Sequence, residues 1–225
     1  MRAPPAPLSG VLFDLDGTLL DSAPDLYEAL RELCLEKGFP EPDYAPVRQV
    51  VSRGGRAILR AGIEGLDEDQ VEALLPRYLA YYADCMGADS PPFDGVPALL
   101  EALEGAGVPW GIVTNKAGFL AEPLLERIGM TARAAAIVCG DTLSVRKPDP
   151  APVRLACEQA GIDPRQAVFV GDDERDVQAG RDAGLFTVAA AWGYLDGGDP
   201  HTWGADAVAD SAAALHALLG LKVPA

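Results

Sequence analysis

Two aspartates separated by one residue, Asp14 and Asp16, close the apolar run Val11–Phe13 in the segment VLFDLDGTLLD. A carboxylate at the tip of a buried strand can serve as nucleophile, general acid or base, or metal ligand. Aspartate is also a common residue of turns and helix N-caps, where it accepts from free backbone N–H groups. Capping accounts best for Asp21, which with Ser22 stands just before a proline and a helical pattern. It accounts less well for Asp14 and Asp16 together.

Other reactive side chains recur after later apolar runs. Thr114 ends the run WGIVT and Asn115 and Lys116 follow it, Lys147 lies in GDTLSVRKPDP after AAIVC, and Asp172, Asp173 and Asp176 lie in VGDDERD after AVFV. Both histidines, His201 and His216, fall in the tail, so no Ser/His/Asp set is in view. Carboxylates gathered in one place repel one another unless a cation joins them. Mg2+ prefers oxygen ligands and often takes only one or two carboxylates with waters and substrate phosphate, so Asp14, Asp172 and one carbonyl would suffice. A carboxylate so placed can attack phosphorus while the cation, a lysine and hydrogen-bond donors hold the phosphoryl oxygens.

Positioning these groups requires a sheet. Five runs read as strands: VLF at 11–13, WGIVT at 110–114, AAIVC at 135–139, AVFV at 167–170 and TVAAA at 187–191. Helical periodicity separates all but the first pair, the βαβ rhythm of a parallel sheet covered by helices. The fold expected is α/β, a Rossmann-like doubly wound parallel sheet. Ligands bind beyond the carboxyl ends of the strands in such a sheet, which is where the candidate residues stand.

The gap between Phe13 and Trp110 is far longer than one crossover helix needs. It contains helical candidates, APDLYEALRELCLEKG and DEDQVEALLPRYLAYYADCMG, and no strand signal. An inserted α-helical cap domain over 18–94 is expected, with the core formed by 1–17 and 95–225. The Pro- and Gly-rich stretch GADSPPFDG suits one of its hinges. The tail adds a loop rich in Trp and Tyr, WGYLDGGDPHTWGAD, read as packed near a site, and a last helix, SAAALHALLG.

Composition bounds the partners. A chain of 225 residues with 49% hydrophobic and 23% charged residues can bury a sizeable core. Its net charge of −16 argues against nucleic acid and anionic membranes, so an anionic substrate must be held by local positive groups. Four scattered cysteines form no CxxC pair and read as reduced core thiols. The opening MRAPPAPLSG lacks an apolar signal core and reads as a flexible lead-in, and no run approaches a membrane span. A cytoplasmic protein acting on a small molecule is expected; nothing in the sequence indicates its oligomeric state.

The ordered motifs DLDGT, VTN, KPDP and GDDERD make the chain similar to the haloacid dehalogenase-like (HAD) hydrolases over essentially its whole length. The resemblance implies a Rossmann-like core with a helical cap inserted after the first motif, Mg2+ dependence and an aspartyl-phosphate intermediate. It implies Asp14 as nucleophile, and Asp16 as the acid that protonates the leaving oxygen and then the base that activates water. It implies metal ligation by Asp14, the Asp16 carbonyl and Asp172, phosphoryl contacts from Thr114 and Asn115, and charge neutralisation by Lys147. Asp176 or Asp173 would be the outer carboxylate that orients the site, with N-capping as the plain alternative for both.

Asp16 argues against dehalogenation, which expels no alkoxide, and permits phosphomonoester hydrolysis or phosphomutase chemistry. The chain looks most like the phosphoglycolate phosphatase group. Within it, the segment VVSRGGRAIL and the aromatic tail loop resemble the bacterial N-acetylmuramic acid 6-phosphate phosphatases. Arg53 and Arg56 are then candidates to reach the substrate, with Gly54 and Gly55 letting the backbone approach a bulky ligand; ordinary solvated arginines are the alternative. Phosphoglycolate hydrolysis is the runner-up. A binding protein that kept the fold without catalysis would be told apart by its failure to hydrolyse an aryl phosphate with Mg2+.

Overall fold

Val11, Leu12 and Phe13 carry no polar group and are fully buried, which suits the centre of a sheet covered on both faces. In the computed structural model, which describes residues 3–221, they form β1 (Gly10–Phe13). The further strands are β2 (Trp110–Val113), β3 (Ala136–Val138), β4 (Ala167–Gly171), β5 (Phe186–Ala190) and β6 (Ala207–Ala209). All pair in parallel in the order β3-β2-β1-β4-β5-β6. The chain therefore builds outward from β1 on one side, then returns to add β4 on the other. That reversal puts the switch point between β1 and β4.

Helices α5 (Val96–Gly105), α6 (Gly118–Arg127), α7 (Ala151–Ala160), α8 (Glu174–Ala183) and α9 (Ala212–Leu218) belong to the same unit. Leu12, Val113, Val138, Val153, Ala156 and Phe169 form part of one buried cluster between α7 and the sheet. β6 was not read from the sequence: Ala-Val-Ala inside a loop of Gly and Asp gives no strand signal, and pairing with β5 defines it. The lead-in is tied down at Ser9, whose N–H donates to the Gln166 carbonyl at 2.7 Å and whose hydroxyl reaches the Asp163 carbonyl at 3.0 Å. Met1 and Arg2 of that lead-in lie outside the described residues.

The second unit, Asp21–Pro91, is helical throughout its regular structure: α1 (Ala23–Lys37), α2 (Tyr44–Gln49), a 3-10 turn (Val51–Arg53), α3 (Gly55–Gly62) and α4 (Glu68–Cys85). Pro24 starts α1 and Gly38, in the left-handed conformation, ends it. A capping box between Asp67 and Gln70 starts α4. Leu26, Leu30 and Leu33 of α1 and Val71, Tyr78 and Tyr82 of α4 are buried, as their helical spacing requires.

The units divide at Leu20/Asp21 and Pro91/Pro92, a few residues inside the expected 17/18 and 94/95. The reason is local: the Leu15 carbonyl collects the N–H groups of Leu19 and Leu20, and Phe93 N–H donates to the Leu19 carbonyl, which keeps these residues with the sheet. Among the described residues no helix is long and apolar enough to cross a membrane, and all four cysteines are free thiols.

Candidate active site

The strand register assembles the site. Phe13 pairs with Ile112 on one side and Val170 on the other, so the chain leaves β1 at Asp14 beside the point where it leaves β4 at Asp172. Asp14 N–H donates to the Val170 carbonyl at 2.9 Å, which carries the β1 ladder one residue past the strand. Asp14, Asp172 and Asp176 each present an oxygen within 4.8 Å of the others, and all three are buried. Lys147 enters from the loop after β3: its Nζ lies 2.7 Å from Asp14 Oδ1, 2.7 Å from Asp176 Oδ1 and 2.6 Å from the Val113 carbonyl. Asn115 Nδ2 donates to the Lys147 carbonyl at 3.0 Å and secures that backbone.

Burial dominates the electrostatics. It pushes the Asp14 carboxyl up against the pull of Lys147, and pushes Asp172 well above the ordinary range with help from the charges of Asp14 and Asp176. Burial likewise lifts Asp176 to about 7 although Lys147 pulls it down. Burial alone would lower Lys147, yet the Asp14 and Asp176 carboxylates hold it above an ordinary lysine. With all three carboxylates ionised, the one ammonium would leave two negative charges in a buried cluster; that oxygen donor set fits a hard dication such as Mg2+, whose charge would offset the rise that burial imposes.

Gly17 makes the turn after the first motif. It adopts φ +87°, and a Cβ there would fall 2.0 Å from Asp172 Oδ2, so no other residue fits. Beyond the turn, Thr18 Oγ1 donates to Asp172 Oδ1 at 2.9 Å. On the other side of the turn, the Asp16 carboxylate meets Lys116 Nζ at 3.1 Å. Thr114 is buried, and its Oγ1 accepts from Lys116 N–H at 3.0 Å.

The sequence profile of haloacid dehalogenase-like hydrolases matches residues 11–190, from β1 to the end of β5. The chain belongs to that family. It is 46% identical over 205 residues to the N-acetylmuramic acid 6-phosphate phosphatase of Pseudomonas aeruginosa, covering 90% of this chain and 91% of that one. It is equally 46% identical, over 211 residues, to a phosphoglycolate phosphatase of Xanthomonas campestris pv. campestris, covering 93% and 94%. The crystal structure of a predicted phosphoglycolate phosphatase from Haemophilus somnus superposes with a TM-score of 0.81 at 27% identity, covering 92% and 96%.

For this haloacid dehalogenase-like hydrolase the two carboxylates left open by the sequence part company. Asp173 caps α8, accepts from Arg175 N–H at 2.8 Å and pairs with its guanidinium at 2.7 Å. Asp176 also completes the capping box, through Asp173 N–H, while its other oxygen faces Lys147. Both therefore cap the helix, and Asp176 joins the cluster as well.

The family member's tail loop packs on Asp172, as its aromatic content suggested: Tyr194 N–H donates to Asp172 Oδ2 at 2.8 Å, and Trp192 Nε1 donates to the Thr18 carbonyl at 3.0 Å. The donor contacts of Thr18, Lys116 and the Tyr194 N–H were not read from the sequence. Only the aromatic content of the loop, the place of Thr18 at the end of DLDGT and that of Lys116 just after VTN hinted at them.

Arg53, Gly54, Gly55 and Arg56 lie in the helical unit. Gly54, at φ +80°, is the N-cap of α3, and a Cβ on Gly55 would come within 2.9 Å of Leu75 and 3.1 Å of Tyr78. The second glycine thus lets α3 pack against α4, a structural use that the expectation of ligand approach did not include. The Arg56 guanidinium makes a two-point contact with Glu72, with Nη2 to Oε2 at 2.8 Å. Arg53 ends the 3-10 turn and is exposed.

Proposed function

We propose that this chain is a Mg2+-dependent phosphomonoester hydrolase of the cytoplasm that works through a phosphoryl-Asp14 intermediate and takes N-acetylmuramic acid 6-phosphate as substrate. The observation that carries the reading is Lys147, a buried ammonium that joins Asp14 to Asp176 beside Asp172. Such a group has a clear use where a dianionic phosphate must approach carboxylates. Asp14, Asp172 and the Asp16 carbonyl would hold the cation. When bound, Mg2+ would supply compact positive charge for the phosphoryl oxygens.

In the first step an Asp14 oxygen attacks phosphorus, and the bond from phosphorus to the sugar oxygen breaks. Asp16 gives that oxygen its proton. In the second step Asp16 takes a proton from water as the water attacks phosphorus, releasing inorganic phosphate and restoring the Asp14 carboxylate. Lys147, the Thr114 hydroxyl and Asn115 hold the phosphoryl oxygens throughout. Asp176 orients Lys147, while Asp173 serves the start of α8.

The substrate assignment rests on the resemblance of the Val50–Leu59 segment and the tail loop to N-acetylmuramic acid 6-phosphate phosphatases. Arg53 and Arg56, with Gly54 and Gly55, are proposed to set the choice. The Arg56–Glu72 pair is exposed and screened by solvent, so it does not remove Arg56 from that role. Phosphoglycolate hydrolysis is the second reading, favoured by the name of the Xanthomonas relative. A panel of phosphorylated metabolites, assayed with Mg2+ and with chelator, tests both. A clearly higher kcat/KM on phosphoglycolate would reverse the order.

A further inference from the structure

The loop after β5 grips the catalytic end of the sheet at two points. The Trp192 indole N–H donates to the Thr18 carbonyl at 3.0 Å, and the Tyr194 backbone N–H donates to Asp172 Oδ2 at 2.8 Å. Between them, Gly193 lies so close that a Cβ on it would fall 2.2 Å from the Asp172 Cβ and 2.3 Å from the Gly17 carbonyl oxygen. The Thr18 hydroxyl in turn donates to Asp172 Oδ1 at 2.9 Å. Thr18 is fully buried, and the Tyr194 ring is buried with its centroid 6.1 Å from that of Phe93.

These contacts fix a carboxylate from both sides. A carboxylate turns freely about its last bond unless each oxygen has a donor, and the donors to Asp172 come from two distant segments. One is the turn after β1, the other the loop after β5. The Thr18 hydroxyl can only serve if its backbone is held; its N–H reaches the Leu15 carbonyl at a long 3.3 Å, and the indole of Trp192 holds its carbonyl at 3.0 Å. Outer donors of this kind orient a ligating carboxylate, and their loss lowers metal affinity by about 10–100-fold.

We infer that Trp192 is a positioning residue for Asp172: through Thr18 it sets the carboxylate plane and thereby the affinity of the site for Mg2+. This inference rests on the metal reading above. It assigns the aromatic loop a task in the chemistry that none of the sequence motifs carries.

The test is Mg2+ binding to the substrate-free protein by titration calorimetry, with thermal unfolding in chelator as the control for folding. Trp192→Phe keeps an aromatic ring and deletes the donor, and should raise the Mg2+ Kd by about three- to tenfold, below the range for a direct outer partner. Thr18→Val should raise it by about 10–100-fold, and Thr18→Ser, which keeps the hydroxyl, should restore most of the affinity. Because Trp192 acts through Thr18, the double variant should bind as Thr18→Val alone does.

An unchanged Kd in Trp192→Phe, or full additivity in the double variant, would overturn the inference while leaving the metal reading intact. Wild-type protein that takes up no Mg2+ would overturn the metal reading and this inference with it. A merely structural role for Trp192 would lower the unfolding temperature in chelator and leave the Kd of the folded protein where it was.

Discussion

Lys116 Nζ lies 3.1 Å from Oδ1 and 3.2 Å from Oδ2 of Asp16, so the ammonium faces both oxygens of the proposed acid and base. Both side chains are largely shielded, at 8% and 14% exposure, which makes the pair stronger than a surface ion pair. Lys116→Ala should loosen Asp16 and lower kcat by about tenfold, equivalent to about 1.4 kcal/mol. Lys147→Ala should cost more, about 10²–10³-fold, since it strips the buried charge from Asp14 and Asp176. Steady-state kinetics of the two variants check the order, and a larger loss in Lys116→Ala would mean the phosphoryl charge is met by the other lysine.

Metal-free stability should depend on pH with a definite sign. Asp14, Asp172 and Asp176 have carboxyls raised above their ordinary 3.8, chiefly by burial. A group with a raised folded value contributes stability that is complete below its unfolded value and is lost as pH climbs through the folded one. For Asp176 that window runs from 3.8 to about 7. In chelator the protein should therefore melt lower at pH 8 than at pH 5.5, by about 2–4 °C for each kcal/mol lost. Mg2+ should raise the melting temperature more at pH 8, because it competes with fewer protons. A Mg2+ effect larger at pH 5.5 would contradict this assignment of the buried cluster.

Selectivity should divide the substrates. If Arg53 and Arg56 bind the sugar acid, Arg53→Ala and Arg56→Ala should depress kcat/KM for N-acetylmuramic acid 6-phosphate by about tenfold or more and hardly affect an aryl phosphate. Equal slowing of all substrates in both variants would end the sugar-phosphate assignment.

Much of this site could be read from the sequence because its residues sit at strand tips, and strands of Val, Phe and Ile announce themselves. DLDGT, VTN, KPDP and GDDERD each follow such a run, and the sheet then had few ways to bring them together. What escaped was set by contacts between distant segments. β6 is three small residues defined only by pairing with β5. Asp173 and Asp176 share one helix turn and one residue type, and only the direction of each side chain separates the Arg175 partner from the Lys147 ion pair. Gly55 looked like room for a ligand, and the Tyr78 ring beside it shows a packing duty that the sequence did not announce. Trp192 and Thr18 are far apart in sequence, so no spacing rule links them.

Asp14→Asn should abolish turnover with the fold retained, because an amide is a poor nucleophile of nearly the same shape as the carboxylate. Near-native thermal unfolding in chelator combined with activity reduced at least about 10³-fold is the expected pair of results. Substantial residual hydrolysis by a pure sample would contradict a covalent role.

The covalent role itself is tested most directly by intact-mass and peptide mass spectrometry of Asp16→Asn mixed with Mg2+ and an aryl phosphate whose phenol leaves readily. Such a leaving group needs little help from an acid in the first step, whereas the second step still lacks its base. The account predicts one burst of phenol per enzyme and a protein heavier by one phosphoryl group, carried on the peptide containing Asp14. A burst of phenol with no phosphoryl group on that peptide would contradict it.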